Sequence, residues 1–219
     1  MFDFALETMI SQQLVGRGVR DERVLGAFRK VPRQLFVPDY LESKAYEELD
    51  VPIGLGQTMS TPYAAAKMLG ELRLQPHHRV LEVGTGSGLL TAMLASLVKE
   101  VSTVEILPEL AARARKLLLG SLGLGNVSFL VGNGHLGWSE KAPFDAILVT
   151  AATREPPEAL LGQLRDGGRL VVSIGDEQQQ ALHVLSRSED GDDSLEVIHG
   201  AAWPVLLGPL EPLIDEDDD

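Results

Sequence analysis

The residues best placed to do chemistry are a glycine-rich run, Glu82-Val83-Gly84-Thr85-Gly86-Ser87-Gly88, and an acid, Glu105, that follows Gly84 by 21 residues. Glycines let a backbone approach a ligand closely and adopt positive φ without a side-chain penalty. The run follows the short apolar segment Arg79–Val83 and opens the apolar segment Leu89–Leu97, so it joins a strand to a helix, the context a nucleotide-binding turn requires. Glu105 closes the next apolar segment, Val101–Glu105. That places a carboxylate beside the carboxyl end of the first strand, where it can accept both hydroxyls of a ribose; the alternative is an exposed strand-end acid. The glycine spacing discriminates between nucleotides. A dinucleotide turn wants glycines at relative positions 1, 3 and 6. Here they stand at 1, 3 and 5, and the sixth position is Leu89. S-adenosylmethionine carries no phosphate, and its amino-acid end can rest against such a turn, so the pattern favours it over NAD.

The hydrophobic pattern predicts the scaffold. Phe2, Leu6, Met9, Ile10 and Leu14 recur at helical spacing, with a stop at Gly16 and Gly18. Asp21 suits the N-cap of a second helix bearing Val24, Leu25 and Phe28, which should end before Pro32. Val51 to Pro62 reads as loop, punctuated by proline and glycine, and a further helix covers Tyr63 to Leu72. Strands then alternate with helices: strands at Arg79–Val83, Val101–Glu105, Val127–Val131, Ala146–Thr150 and Leu170–Ile174, and helices at Leu89–Leu97, from Pro108 to about Leu119, and from about Glu158 to Leu164. Such alternation predicts a parallel sheet covered on both faces. Ala181–Arg187 and Leu195–Ile198 flank the acidic loop Ser188–Ser194 with no room for a helix, so they should form an antiparallel hairpin at the sheet edge. The expected fold is α/β: a Rossmann-like methyltransferase fold with a mostly parallel doubly wound sheet, a C-terminal antiparallel hairpin and an N-terminal helical extension. The expected division is an extension over 1–74, a core over 75–212 and an acidic tail over 213–219, within one compact domain.

Composition removes other classes. The 219 residues are 44% hydrophobic and 23% charged, as in ordinary globular domains. The absence of cysteine excludes disulfides, zinc-thiolate sites and thiol catalysis. His77 and His78 follow Pro76 and read as solvent-exposed loop residues, so no metal is expected. The net charge is −13 and is uneven, with eleven acids against one base from Arg187 onward. That bias works against nucleic acid, whose backbone needs basic contacts, and Asp215–Asp219 reads as a solvated end. The residues Met1–Glu7 carry acids where a signal peptide needs bases, and the most apolar stretch, Leu89–Val98, is too short to cross a bilayer. The expectation is a soluble cytoplasmic monomer with no membrane partner.

Longer motifs carry a resemblance. Val31-Pro32-Arg33-Gln34-Leu35-Phe36-Val37-Pro38, Ala45-Tyr46, and Val51-Pro52-Ile53-Gly54-Leu55-Gly56-Gln57-Thr58-Met59-Ser60-Thr61-Pro62-Tyr63 are followed by the glycine turn, Thr103-Val104-Glu105 and Pro143-Phe144-Asp145. With these the chain resembles protein-L-isoaspartate O-methyltransferases over nearly its whole length; the Pro-Ile-Gly-x-Gly-Gln-Thr-x-Ser segment is the most specific part. The resemblance implies methylation of the free α-carboxylate of isoaspartyl residues, formed by rearrangement of aged Asn and Asp. The ester then collapses to a succinimide that partly reopens to normal Asp. It implies S-adenosyl-L-methionine as cofactor, S-adenosyl-L-homocysteine as product, and isoaspartyl-containing proteins or peptides as partners. It places Gly56, Gln57, Thr58 and Met59 along the cofactor, makes Ser60 the active-site hydroxyl, and assigns the cofactor to Glu82, Gly84, Thr85, Gly86, Ser87, Gly88, Glu105, Ile106, Asn133 and Gly134.

The chemistry is consistent with that assignment. A carboxylate with a pKa of about 4 is ionised at neutral pH and needs no general base to attack a sulfonium methyl group. Alignment is what the protein must supply, worth up to roughly 7–11 kcal/mol. Ser60 or Thr58 can donate to one carboxylate oxygen and so aim the other; Ser60 could also cap the helix that begins near Pro62. Trp138 reads as packing, and Trp203-Pro204 falls where the family's last strand approaches substrate. Two positions depart from the family. Asn133 stands where it has Asp, which costs the adenine contact about 1 kcal/mol of charge assistance, and Leu89 replaces a frequent aromatic. These leave two other readings, a methyltransferase dedicated to aspartate in one peptide or partner and a non-catalytic cofactor-binding module; intact Ser60, Thr58 and Glu105 argue against the second.

Overall fold

A computed structural model of the chain describes residues 2–175, 180–188 and 194–198. The expectations for Trp203-Pro204, for most of the acidic loop and for the acidic tail lie outside them. Helix α1 (Phe2–Thr8) continues through a wider turn, Met9–Leu14, and a tight one, Val15–Arg17, before Gly18 ends it. Asp21 accepts from the N–H groups of Arg23 and Val24 and so starts α2 (Glu22–Lys30), which buries Val24, Leu25, Ala27 and Phe28. Arg23 on α2 donates to the carbonyl oxygens of Leu74 and Leu97, tying the helix to two neighbouring segments.

The segment expected to be loop is instead a hairpin, β1 (Val51–Gly54) and β2 (Gln57–Met59), paired antiparallel. Its two-residue connection, Leu55-Gly56, has φ of 55° and 71°. Positive φ at both central residues gives a turn whose twist matches the flanking strands. Leucine is disfavoured there, so the usual Asn-Gly or Asp-Gly signal is missing. Helix α3 (Pro62–Glu71) follows, and its cap is Thr61, which accepts from the Ala64 N–H, rather than Ser60.

The remaining elements are β3 (Arg79–Val83), α4 (Leu89–Leu97), β4 (Glu100–Glu105), α5 (Pro108–Arg115, continuing as a wider turn to Ser121), β5 (Val127–Val131), β6 (Phe144–Thr153), α6 (Glu158–Leu161), β7 (Leu164–Gly175), β8 (Gln180–Ser186) and β9 (Ser194–Ile198). Helix α6 stops short of its expected end because Leu164 already pairs with Phe144 in the sheet. Among the described residues the main sheet has seven strands in the order β5-β4-β3-β6-β7-β8-β9. The first five are mutually parallel; β8 and β9 add antiparallel. The chain runs outward from β3 through β4 to β5, then returns to place β6 on the other side of β3. That reversal opens a crevice at the carboxyl ends of β3 and β6, the place where α/β sheets bind ligands.

Strand alternation sends residues to two faces. Val80, Val101, Ala146, Leu148 and Val171 share a core with Leu14, Phe28, Met68 and Leu94; α3 packs on β7, and α2 packs on α4. Leu81, Val83, Ile147, Val149 and Leu170 point the other way, against Phe144, Leu160 and Leu164, with Trp138 packed alongside. His77 is exposed, and the Nδ1 of His78 accepts from the Gln75 N–H. Among the described residues there is no metal-binding cluster of His, Asp or Glu, and no helix is long and apolar enough to cross a membrane. Because Asp21 satisfies two N–H groups at the start of α2, Asp21→Ala should cost about 1 kcal/mol, a fall of roughly 2–4 °C in thermal midpoint for a chain of this size, read by calorimetry.

Candidate active site

The crevice is a cleft of about 1140 Å³, its open mouth included. Its floor is the turn Gly84–Ser87. Gly84 has φ 95°, and a Cβ there would stand 2.2 Å from the Thr150 hydroxyl oxygen on β6. The Thr150 hydroxyl donates toward the carbonyl oxygens of Val83 and Gly84, at 3.1 and 2.9 Å, while the Gly84 N–H donates to the Val104 carbonyl at 2.8 Å. The turn is thereby fixed from both neighbouring strands.

Glu105 is 6% exposed, so it is not the exposed strand-end acid of the alternative reading. One carboxylate oxygen accepts from the Gly86 N–H at 2.8 Å and the other from the Leu107 N–H at 3.0 Å. Two backbone donors hold the group rigid at the cleft wall, with lone pairs left over for a ligand.

Behind the turn lies a second carboxyl. Glu82 is fully buried and its Oε2 accepts from the hydroxyls of Thr91 and Thr103 at 2.5 and 2.7 Å. Thr103 spends its one proton on Glu82, so the Thr85 hydroxyl donates to Thr103, 2.6 Å away. Loss of hydration raises the Glu82 pKa from the usual 4.5 to about 8, against the lowering effect of the two threonine hydroxyls. The network runs from α4 through β3 and β4 into the turn, and Glu82 supports the cleft from below.

Of the residues expected to meet the cofactor, most are brought together on the cleft wall. Gly84, Thr85, Gly86 and Ser87 form the floor, Glu105 and Ile106 one side, and Asn133 and Gly134 another; Gln57, Thr58, Met59 and Ser60 close over the top. Three stand elsewhere. Glu82 points under the turn, as above. Gly56 is exposed at the hairpin tip and serves the turn there. Gly88 is buried at the start of α4, where a Cβ would press on Leu118 at 3.0 Å and Ala114 at 3.2 Å; it lets helices approach. Asn133 uses its Oδ1 to accept from the His135 N–H at 2.9 Å, so its oxygen is partly committed to its own loop. Gln163 braces that loop, accepting from the Trp138 N–H and donating to the Leu136 carbonyl, both at 2.8 Å.

The wall also includes residues that sequence reading missed: Ile53, Leu90, Leu107 and Leu110 as apolar lining, and Thr150 and Ala151 at the end of β6. The last two become legible once β6 is known to neighbour β3. The hairpin reaches across the turn, with Ile53 Cδ1 3.5 Å from where a Cβ on Gly86 would stand. Arg113 of α5 holds it there by donating to the Ile53 carbonyl at 3.1 Å.

A parallel sheet reversing at β3, a glycine turn and an anchored acid on the next strand define a Rossmann-like methyltransferase. The sequence model of the protein-L-isoaspartate(D-aspartate) O-methyltransferase family matches residues 6–206. The chain is 52% identical to a protein-L-isoaspartate O-methyltransferase of Anaeromyxobacter dehalogenans, over 93% of this chain and 96% of that one. It is 47% identical to one of Trichlorobacter lovleyi, over 94% and 95%. A solved protein-L-isoaspartate O-methyltransferase from Plasmodium falciparum, in complex with S-adenosyl-L-homocysteine, shares the fold with TM-score 0.77, covering 92% of this chain and 97% of its own at 24% identity. The chain belongs to the protein-L-isoaspartate(D-aspartate) O-methyltransferase family.

Glu82 gives the site a pH signature. Its folded pKa lies above its unfolded value, so between about pH 4.5 and 8 the folded chain holds a proton that the unfolded chain releases. Its contribution to stability is therefore present at low pH and is lost as pH rises through that window. Urea unfolding of Glu82→Gln from pH 5 to 8 should show a flatter stability profile than the unsubstituted chain; identical slopes would mean Glu82 is ionised in the fold.

Proposed function

We propose that this chain is an S-adenosyl-L-methionine-dependent methyltransferase that esterifies the free carboxylate of L-isoaspartyl residues in damaged proteins or peptides, the step that starts their repair through a succinimide. Family membership supports the reaction. The observation that carries the site assignment is the meeting of the anchored Glu105, the glycine turn and residues Thr58–Ser60 in one cleft.

The donor set suits the cofactor. Glu105 offers acceptor lone pairs to the two ribose hydroxyls, Gly84–Gly86 let the backbone come close to the amino-acid end, and Asn133-Gly134 border the adenine side. The apolar wall of Ile53, Leu107 and Leu110 excludes water from a sulfonium that needs no base to react. When bound, S-adenosyl-L-methionine supplies a methyl group that passes to a carboxylate oxygen as the carbon–sulfur bond breaks and the thioether leaves. The residues' task is alignment. The Ser60 hydroxyl, with Thr58 beside it, donates to one oxygen of the acceptor carboxylate and turns the other toward the methyl carbon. No proton changes hands, so neither hydroxyl needs activation. The cleft is built from one chain, so the reading needs no second copy.

Glu105→Ala removes both ribose contacts and should weaken S-adenosyl-L-methionine binding about tenfold to a hundredfold; unchanged calorimetric affinity would remove Glu105 from the site. Ser60→Ala removes a donor to a charged group and should lower kcat on an isoaspartyl peptide about tenfold or more, with cofactor affinity nearly unchanged. Equal losses in both would make Ser60 a structural residue.

A further inference from the structure

Among the described residues the largest fully buried side chain is a cation, Arg33, with none of its surface exposed. It lies in the tight turn Arg33–Phe36 that follows Pro32, and it does not itself line the cleft. Burial lowers its pKa to about 10, which leaves it protonated at neutral pH. Among the described residues no carboxylate forms an ion pair with it, and its Nη1 has no hydrogen-bond partner. Its direct hydrogen bonds go to neutral carbonyls, and the Glu48 carboxylate favours its charge without a direct ion pair; a buried cation held this way is a costly choice where a Met or Leu could fill the space.

What the guanidinium touches gives it a role. Its Nε donates to the Ala45 carbonyl at 2.8 Å and its Nη2 to the Ser60 carbonyl at 2.9 Å. These two carbonyls bracket the segment that contains the β1–β2 hairpin. The hairpin itself has other supports: its own pairing fixes Met59 opposite Val51, and Arg113 holds Ile53. Downstream of Ser60, Thr61 is fixed as the cap of α3 and donates to Glu48 at 3.1 Å. Ser60 is the junction between these two anchored elements, and Arg33 binds the peptide carbonyl of that junction. The peptide plane held by this bond fixes the backbone from which the Ser60 side chain reaches the cleft wall.

We propose that Arg33 is a positioning residue for methyl transfer: through its hydrogen bond to the Ser60 carbonyl it holds the Ser60 hydroxyl in the orientation that aims the acceptor carboxylate. The proposal rests on the reading of Ser60 given above. A displacement of order 1 Å at such a group can cost about a hundredfold in rate, and once the Ser60 hydroxyl no longer aims the acceptor, deleting it costs little more. The effects of Arg33 and Ser60 on kcat are therefore coupled.

The test is a double-mutant cycle on the full chain with an isoaspartyl peptide, comparing Arg33→Met, Ser60→Ala and the pair, with S-adenosyl-L-methionine affinity measured for each. Arg33→Met should lower kcat by at least half of the Ser60→Ala effect on a logarithmic scale, and change cofactor affinity less than about threefold. In the Arg33→Met background, Ser60→Ala should cost less than about twofold further, because coupled residues are not additive. Multiplicative losses would overturn the proposal, as would an Arg33→Met loss of cofactor affinity equal to its loss of kcat. If Ser60→Ala leaves kcat of the native chain unchanged, the Ser60 reading fails first and takes the proposal with it, whatever Arg33 does. Should Arg33→Met not fold, Arg33→Lys keeps the buried cation and one donor. It should give an intermediate kcat and the same non-additivity with Ser60→Ala, and additivity there would equally overturn the role.

Discussion

The carboxylate of Glu105 is the interaction on which the site depends. By accepting from Gly86 on one oxygen and Leu107 on the other, it joins the glycine turn after β3 to the segment entering α5. Two backbone N–H groups that would otherwise lack partners are satisfied, and a charged acceptor is held rigid at the cleft edge. Charge-assisted bonds of this kind are roughly twice as strong as neutral ones, so the anchor is stiff enough to present lone pairs at fixed positions. The same side chain therefore organises the turn and lines the cleft.

Around that anchor the fold places buried polar groups where apolar ones would be cheaper. Glu82 sits under the turn with a pKa near 8, engaged by Thr91 and Thr103 and linked through Thr103 to Thr85. Arg33 sits behind Ser60. One supports the floor of the cleft and the other the edge of its roof. Both hold backbone or hydroxyl groups at the cleft without lining it, which fits the alignment that the proposed reaction demands.

Much of this was legible in the sequence, for physical reasons. Arg79–Val83, Leu89–Leu97 and Val127–Val131 appear at the expected bounds because apolar runs between glycine and proline leave few alternatives. The hairpin over Val51–Met59 was hidden because its turn puts Leu55 at positive φ, which leucine rarely signals. Glu82 is adjacent to the glycines in the motif, yet strand alternation sends it to the same face as Val80, under α4, so Thr91 rather than a ligand meets it. Arg33 lies in a short turn between Pro32 and Phe36, and burial of a turn cation follows from tertiary packing that no local pattern encodes. Two of the positions missed on the wall, Thr150 and Ala151, depend on which strand neighbours β3, a property of the sheet order.

The most direct measurement is methyl transfer from labelled S-adenosyl-L-methionine to a matched pair of peptides that differ only in carrying isoaspartate or normal aspartate at one position. Base-labile label is expected on the isoaspartyl peptide alone. Label on neither peptide while the chain still binds the cofactor, or equal label on both, would contradict it.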